Sequence, residues 1–209
     1  MIKQNKYVII SIVLVFVIIT LQTLFIRSIK IKYDVCNSEI NNLINDKRQI
    51  KSQKSMILDS YKKCFLSSGL KLDNVQLQGN SGVIVKLKNA LNGKTKIIYY
   101  FDQYSCVACV NNDLTLFNNF VELIGNENAL ILANFSNYKE FYQFFCRNDI
   151  KCKVFNIKGK NLGIEIKKAS AIFVIDQDLI VNKFFIPHKS LNETTKEFLN
   201  NIKSCYYKY

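Results

Sequence analysis

The chain has 209 residues, of which 49% are hydrophobic and 22% are charged, with a formal net charge of +13 and seven cysteines. A chain this apolar and aromatic can offset the entropy of ordering by burial, so disordered, collagen-like and low-complexity classes are excluded. The basic residues are almost all lysine and are not interleaved with stacking aromatics, so they do not indicate a nucleic-acid partner. An odd number of cysteines leaves at least one thiol unpaired within a monomer.

The first element is an uncharged run over residues 7–26, YVIISIVLVFVIITLQTLFI. As a helix it is about 30 Å long, the thickness of the hydrocarbon core of a bilayer. A cleaved signal peptide would have a shorter apolar region ending at small residues. The sequence therefore predicts a single-pass transmembrane helix at 7–26 after a cytoplasmic N-terminus at 1–6. The flanks are similarly basic, so charge alone does not decide the orientation.

Residues 27–69 are predicted to form a helical stalk with one weak apolar stripe. The stripe repeats every seven residues and consists of Cys36, Leu43, Ile50, Ile57 and Cys64. It can pack on the stalk's own domain, or it can pair two chains in a parallel homodimer in which Cys36 and Cys64 meet their counterparts. In a straight helix these two cysteines are about 42 Å apart, so they cannot pair within one chain.

Residues 70–204 alternate short apolar runs with stretches of helical periodicity, which predicts a single α/β domain. The predicted strands are 75–77, 83–87, 94–102, 128–135, 152–157, 171–176 and 179–186, and the predicted helices are 106–124, 136–148 and 191–202. This order is typical of a mixed sheet with helices on both faces. The last residues, 205–209, are predicted to be a frayed tail that carries Cys205.

The motif YSCVAC places Cys106 and Cys109 where the strand at 94–102 meets the following helix. A thiol at a helix N-terminus faces unpaired backbone N–H groups and the positive end of the helix dipole, which lower its pKa. Cys109 lies one turn further on, close enough to attack a mixed disulfide formed at Cys106. The alternative, a zinc site, lacks a second C-x-x-C motif, and His188 is the only histidine, so no metal is expected.

Three stretches of the chain, IIYYFDQYSCVAC, NALILANFSNYKEFYQF and AIFVIDQDLIVNKFFIPHKSL, resemble the membrane-anchored thioredoxin-like proteins of Bacteroidales bacteria. The preceding hairpin with LKNALNGK resembles the TlpA and ResA branch of the same family. The resemblance covers residues 70–204. It implies a thioredoxin-like three-layer sandwich, with helices on both faces of a mixed central sheet, preceded by the transmembrane helix and the stalk.

The resemblance also implies a function. The chain would be a thiol-disulfide oxidoreductase anchored in the bacterial inner membrane, with its domain on the periplasmic side. Cys106 would attack and Cys109 would resolve, without a metal or an organic cofactor. The implied partners are client proteins that carry thiols or disulfides and a membrane electron donor that recycles the pair.

Four residues are implied as substrate contacts, and two of them depart from the family pattern. Tyr104 and Ser105 precede the first cysteine, where Ser105 replaces an aromatic residue. Ser170 and Ala171 form the loop before the last hairpin, where Ser170 replaces a cis-proline. These departures keep a second hypothesis open, in which the domain is a tethered binding or assembly module without catalytic activity.

Further departures concern the chemistry of the pair. Val107 and Ala108 replace a pair that usually contains proline. Tyr100 stands where a buried aspartate or asparagine is expected, so the sequence shows no buried base.

The remaining candidates are two cysteines and the histidine. Cys146 ends a predicted helix and Cys152 begins the next strand, so they either form a structural disulfide across the turn or fill space as small apolar residues. His188 follows the last hairpin and is predicted to be a solvated loop residue.

Overall fold

A computed structural model describes the backbone of residues 2–160, 162–164, 169–188 and 191–207. Within these ranges, side chains are described from residue 19 onward, apart from residues 56, 59–61, 63 and 65. The chain divides into two units, Met1–Met56 and Ile57–Tyr209. The first helix, α1 (Ile2–Ser67), runs through the first unit and continues into the second.

The helix α1 covers the predicted membrane segment and residues 27–67 of the predicted stalk, and the last two stalk residues form a turn. Among the residues whose side chains are described, no helix is long and apolar enough to cross a membrane. Side chains 7–18 of the predicted membrane segment lie outside the described residues. The stripe residues Leu43 and Ile50 are exposed.

The second unit begins earlier than the predicted boundary at residue 70. It includes the last turns of α1, because Cys64 packs against a buried cluster of the globular unit. The segment that follows α1 then runs along β7 (Val181–Phe185). Gly69 N–H donates to the Val181 carbonyl at 2.7 Å, and Val181 N–H donates to the Leu70 carbonyl at 2.9 Å.

In the described part of this unit, seven strands form one mixed sheet in the order β2-β1-β5-β4-β3-β6-β7. Their bounds are β1 Gln76–Gly79, β2 Ile84–Lys86, β3 Lys96–Asp102, β4 Ala129–Asn134, β5 Lys153–Asn156, β6 Ala171–Ile175 and β7 Val181–Phe185. The β3, β4 and β5 strands are parallel, whereas β6 runs antiparallel to β3, and the hairpin β1–β2 joins β5 in antiparallel pairing. The predicted strands are thus confirmed to within a few residues.

The helices pack on both faces of the sheet. Their bounds are α2 Leu87–Leu91, α3 Val107–Ile124, α4 Tyr138–Arg147 and α5 Asn192–Tyr206. The face covered by α3, α4 and α5 includes Tyr99, Phe117 and Phe141, and the other face includes Leu87 and Leu91 of α2. The central strand β3 contributes to both faces, so its residues 96–101 are all buried.

Two sequence predictions need correction here. The short helix α2 was not predicted, since its five residues are too few to show a helical period. The frayed tail is also wrong in its first residues, because α5 continues to Tyr206 and includes Cys205. The next residue, Tyr207, is only 7% exposed, and its hydroxyl donates to the Asn128 carbonyl at 3.3 Å.

Candidate active site

Cys106 is the N-cap residue of α3, at the point where β3 leads into that helix. It is exposed, whereas Cys109 is partly exposed. The Cys109 backbone N–H donates to Cys106 Sγ over 3.4 Å. A sulfur that accepts a backbone N–H at a helix N-terminus is stabilised in its thiolate form. The predicted position of both cysteines is confirmed.

The turn before Cys106 is held by Asp102 and Ser105. Asp102 Oδ1 accepts the Tyr104 backbone N–H at 2.8 Å. Ser105 is 7% exposed, and its Oγ lies 3.2 Å from both Asp102 Oδ1 and the Ala169 carbonyl oxygen. Ser105 therefore joins the turn before the thiols to the loop that precedes β6.

A second link joins the same loop to α3. The Ser170 hydroxyl donates to Asp113 Oδ2 at 2.6 Å, and both residues are buried, with exposures of 5% and 2%. Asp113 lies four residues after Cys109 and so shares its side of α3. The described residues contain no cis peptide bond, so the position expected to carry cis-proline has instead a trans-linked serine bonded to a buried acid.

Asp113 is the buried acid that the sequence did not predict. Burial raises the pKa of its carboxyl, while hydrogen bonds from Ser170 and Asn112 and the nearby charge of His188 offset part of that rise. His188, predicted to be a solvated loop residue, does lie in a loop and is partly buried. The available signal was an aspartate on the apolar face of a helix, next to the buried Leu114.

Tyr99 completes this buried group from the sheet side. Its hydroxyl donates to the Val110 carbonyl at 3.3 Å. Burial raises the pKa of Tyr99 well above its ordinary value, and negative charge on Asp113 and on Cys109 raises it further. Tyr99 thus contacts α3 at Val110, one residue after Cys109.

The four predicted substrate contacts differ in their exposure. Tyr104 is 70% exposed and free to meet a substrate beside Cys106. Ser105 and Ser170 are turned inward by the hydrogen bonds described above. Ala171 is fully buried and pairs with Tyr100, so substrate contact by its side chain is excluded. Tyr100 itself belongs to the cluster on the sheet's other face.

The second pair of cysteines lies elsewhere and is not joined. Cys146 is exposed on α4, Cys152 is partly buried just before β5, and both thiols are free. The disulfide predicted as one alternative for this pair is therefore not formed in this structure. Burial raises the pKa of the Cys152 thiol to about 12, although the positive charge of Lys96 acts in the opposite direction.

Within the described ranges, no three histidine, cysteine, aspartate or glutamate side chains are grouped so that they could hold a metal ion. The chemistry available to the described site is that of two thiols, a buried carboxyl group and the polar groups that surround them.

Comparison with known proteins gives no matching family model and no matching curated protein. Solved structures do match. One is a putative thiol:disulfide interchange protein DsbE from Chlorobium tepidum, 15% identical, with a TM-score of 0.51 over 64% of this chain and 95% of that one. Another is the peroxidoxin BcpB from Mycobacterium tuberculosis, 12% identical, with a TM-score of 0.50 over 66% of this chain and 97% of that one.

At these identities the similarity establishes the fold and nothing finer. The globular unit has a thioredoxin-like α/β fold with a mixed sheet, as the sequence resemblance implied. The order of elements in this unit agrees with this fold. A CxxC motif begins the helix that follows the central strand β3, and the β6–β7 hairpin and α5 come last.

Proposed function

We propose that this thioredoxin-like domain is a thiol-disulfide oxidoreductase that acts on extracytoplasmic proteins through Cys106 and Cys109. One observation carries the proposal: an exposed thiol caps a helix, accepts the N–H of the second cysteine, and has that cysteine one turn away. This is the arrangement that favours a reactive thiolate with a resolving partner.

In the reducing direction the Cys106 thiolate attacks one sulfur of a client disulfide. A sulfur–sulfur bond forms to Cys106, the client bond breaks, and the departing client sulfur takes the electron pair and a proton. Cys109 then loses its proton and attacks Cys106 Sγ, which releases the second client thiol. The client gains two electrons and the pair becomes a disulfide; the reverse sequence oxidises client thiols.

Asp113 is the group to which we assign the proton of Cys109. It lies on the same side of α3, and its raised pKa brings its proton exchange closer to neutral pH than that of an ordinary aspartate. The Ser170 hydroxyl holds the carboxyl in place at 2.6 Å. His188 contributes positive charge near the same carboxyl.

The test is a thiol titration of the full chain across dithiothreitol redox buffers. We expect one two-electron transition that disappears in Cys106→Ser and persists in Cys146→Ser, the matched control. Absence of such a transition in the wild-type chain would contradict the proposal. The midpoint of the transition gives the reduction potential, and comparing it with the potential of the compartment gives the physiological direction.

A binding module without catalytic activity is the second candidate. It is favoured by the inward-facing Ser170, which leaves the loop before β6 bonded to Asp113. In Cys109→Ala an oxidoreductase accumulates mixed disulfides with its clients, because Cys106 can no longer be released. A binding module instead retains the same partners after both cysteines are replaced.

The membrane anchor also belongs to the proposal. It is supported by the twenty uncharged residues at 7–26 and the basic residues on either side. We expect the full chain to stay with membranes during alkaline carbonate extraction, and a chain lacking residues 1–27 to be released. Added protease should reach the globular unit from the extracytoplasmic side only. Release of the full chain would remove the anchor from the proposal.

Two partners remain proposals on the same basis. A reducing enzyme needs a donor that returns its disulfide to dithiol, and a membrane anchor favours a membrane protein in that role. A homodimer through the stalk would use Cys36, which is exposed. Cys64 is less suited to that contact, since it packs against its own globular unit.

A further inference from the structure

A groove lies between the start of α3 and the helix α4, with a volume of about 500 Å³. Its floor is apolar and consists of Phe101, Val110, Phe135 and Phe144. The rings of Phe101 and Phe144 are 4.9 Å apart, and those of Phe135 and Phe144 are 5.8 Å apart. Phe101 and Val110 also belong to the buried core, so this floor is held by the fold itself.

The groove extends to the residues on either side of the reactive cysteine. Ser105 and Val107, the chain neighbours of Cys106 on either side, both line it. Val107 is 73% exposed, so this edge is open to solvent. An extended peptide advances about 3.3–3.6 Å per residue. A side chain within two positions of a cysteine bonded to Cys106 is therefore within reach of the groove.

The charges at the rim indicate what kind of ligand fits. Asp102 and Glu140 line the groove together with one basic residue, Arg147. The other polar lining residues are Gln103, Asn111, Gln143 and Asn148. Although the chain as a whole carries +13, this rim has more carboxylates than cations. It does not favour an anionic small disulfide, and an uncharged protein segment suits it better.

We propose that this groove binds a large apolar side chain of the client, located within two residues of the client cysteine that reacts with Cys106. The proposal rests on the thiol-disulfide exchange proposed above and adds a sequence preference to it. A volume of about 500 Å³ lies in the usual range of about 300–1,000 Å³ for binding pockets. Aromatic side chains bury the largest apolar area in such a site.

The probe is a set of neutral pentapeptides with a central cysteine, whose sulfur carries 2-nitro-5-thiobenzoate in a mixed disulfide. The protein is the reduced full chain in which the exposed Cys36, Cys146 and Cys205 are replaced by serine, so that they do not react with the probe; it is present in excess. The Cys106 thiolate attacks the cysteine sulfur, a bond forms between the two cysteines, and the coloured thiolate leaves with the electron pair of the broken bond. Cys109 then displaces the peptide. The release of colour gives the rate of the first step.

One peptide has alanine at its four other positions, and four others replace each of these in turn with phenylalanine. We expect phenylalanine in at least one position to raise the rate about tenfold over the alanine peptide. This ratio corresponds to about 1.4 kcal/mol of transition-state binding. Because it compares two peptides on one protein, the ratio does not depend on the reactivity of the thiol.

Three variants locate the effect. Gln143 is exposed and lines the groove, so Gln143→Trp should fill the groove and bring the ratio close to one. Lys139→Trp is the matched control, because Lys139 is exposed on the same helix and does not line the groove; it should keep the ratio. Phe144→Ala tests the floor and should also lower the ratio.

The outcomes separate the two proposals. If neither the peptides nor a simple aromatic disulfide reacts with the wild-type chain, the proposed function fails and this inference with it. If the thiol reacts but all five peptides differ by less than twofold, the oxidoreductase remains and the groove proposal is overturned. A ratio that survives in Gln143→Trp also overturns it.

Discussion

The globular unit carries two pairs of cysteines with opposite surroundings. Cys106 is exposed at a helix start and accepts a backbone N–H, and its partner Cys109 shares a helix face with the buried acid Asp113. Cys152 lies beside the buried Lys96 instead, and Cys146 is exposed on α4. Judged by neighbouring charge alone, the second pair should contain the reactive thiolate.

The structure indicates the reverse, because desolvation outweighs one neighbouring charge. Burial raises the pKa of Cys152 to about 12 despite the charge of Lys96. The Lys96 ammonium is also weakened as a partner, since burial and two other lysines lower its pKa, and it donates to the Glu127 carbonyl. A reactive thiol thus requires access to water as well as a stabilising donor.

The largest expected effect is the loss of exchange on replacing Cys106. Cys106→Ser should slow reduction of a model disulfide by at least about 10²-fold, since it removes the proposed nucleophile and leaves only other exposed thiols such as Cys205. Cys146→Ser, which removes the exposed thiol of the other pair, should change the rate by less than twofold. Stopped-flow absorbance measures both. If Cys146→Ser is the variant that loses activity, the assignment of the two pairs is reversed.

A direct comparison of the thiols comes from alkylation at pH 8. With a pKa of about 12, Cys152 has roughly 10³-fold less thiolate than an ordinary thiol of pKa ~8.5. We expect iodoacetamide to label Cys106 and the exposed Cys205 at least several hundred times faster than Cys152, as followed by peptide mass spectrometry. Unfolding in urea is the control and should make the three rates similar. Rapid labelling of Cys152 in the folded chain would contradict its burial.

Most elements of the fold could be predicted from the sequence, because the buried strands are short and fully apolar and the helices keep a regular period. The residues KIIYYFD became β3, and the period from Val110 to Ile124 became α3. The position of Cys106 followed from that junction. The boundary of the globular unit could not be predicted in this way. Residues 57–67 continue α1 without a break and belong to the second unit only through tertiary packing.

The buried acid Asp113 could not be predicted from the sequence either, for a physical reason. Tyr100 occupies the position on β3 where the acid was expected. The buried acid Asp113 lies on α3 instead and accepts a hydrogen bond from Ser170, which is 57 residues later in the chain. Such a pairing depends on the sheet bringing the loop before β6 next to α3. No local pattern contains this information, whereas the position of a CxxC motif at a helix start does depend on local sequence.

The next effect in size concerns the bond between Ser170 and Asp113, which the second cysteine pair does not share. Ser170→Ala leaves a buried carboxyl without its 2.6 Å donor, and we expect it to lower the free energy of unfolding by about 1–3 kcal/mol. Thr195→Val is the matched control. Its hydroxyl is buried without a hydrogen-bond partner among the described residues, so removing the hydroxyl should change the free energy of unfolding only slightly. Urea unfolding followed by tyrosine fluorescence measures both, and equal losses would remove the special role of Ser170.

The smallest expected effect is a change in how the free energy of unfolding depends on pH, and its sign follows from the pKa of Asp113. The pKa of this carboxyl is raised in the folded state, chiefly by burial. At a pH between the ordinary pKa of aspartate and this raised pKa, the folded chain therefore binds more protons than the unfolded chain. The contribution of this group to the free energy of unfolding is fully present at a pH below the ordinary pKa of aspartate. It is lost as the pH rises through the raised pKa of the folded state.

Asp113→Asn removes that loss, because an amide is neutral at every pH and still accepts a hydrogen bond from Ser170. Relative to the wild type, the variant should be more stable at pH 7 than at pH 3.5, in unfolding curves measured at both values. Asp178→Asn, at an exposed turn, is the control and should not alter the difference in the free energy of unfolding between the two pH values. If Asp113→Asn is instead relatively less stable at pH 7, the carboxylate is stabilised by its neighbours more than burial destabilises it. In that case the buried acid Asp113 would be a fixed charge, and the proton of Cys109 would have to leave by another route.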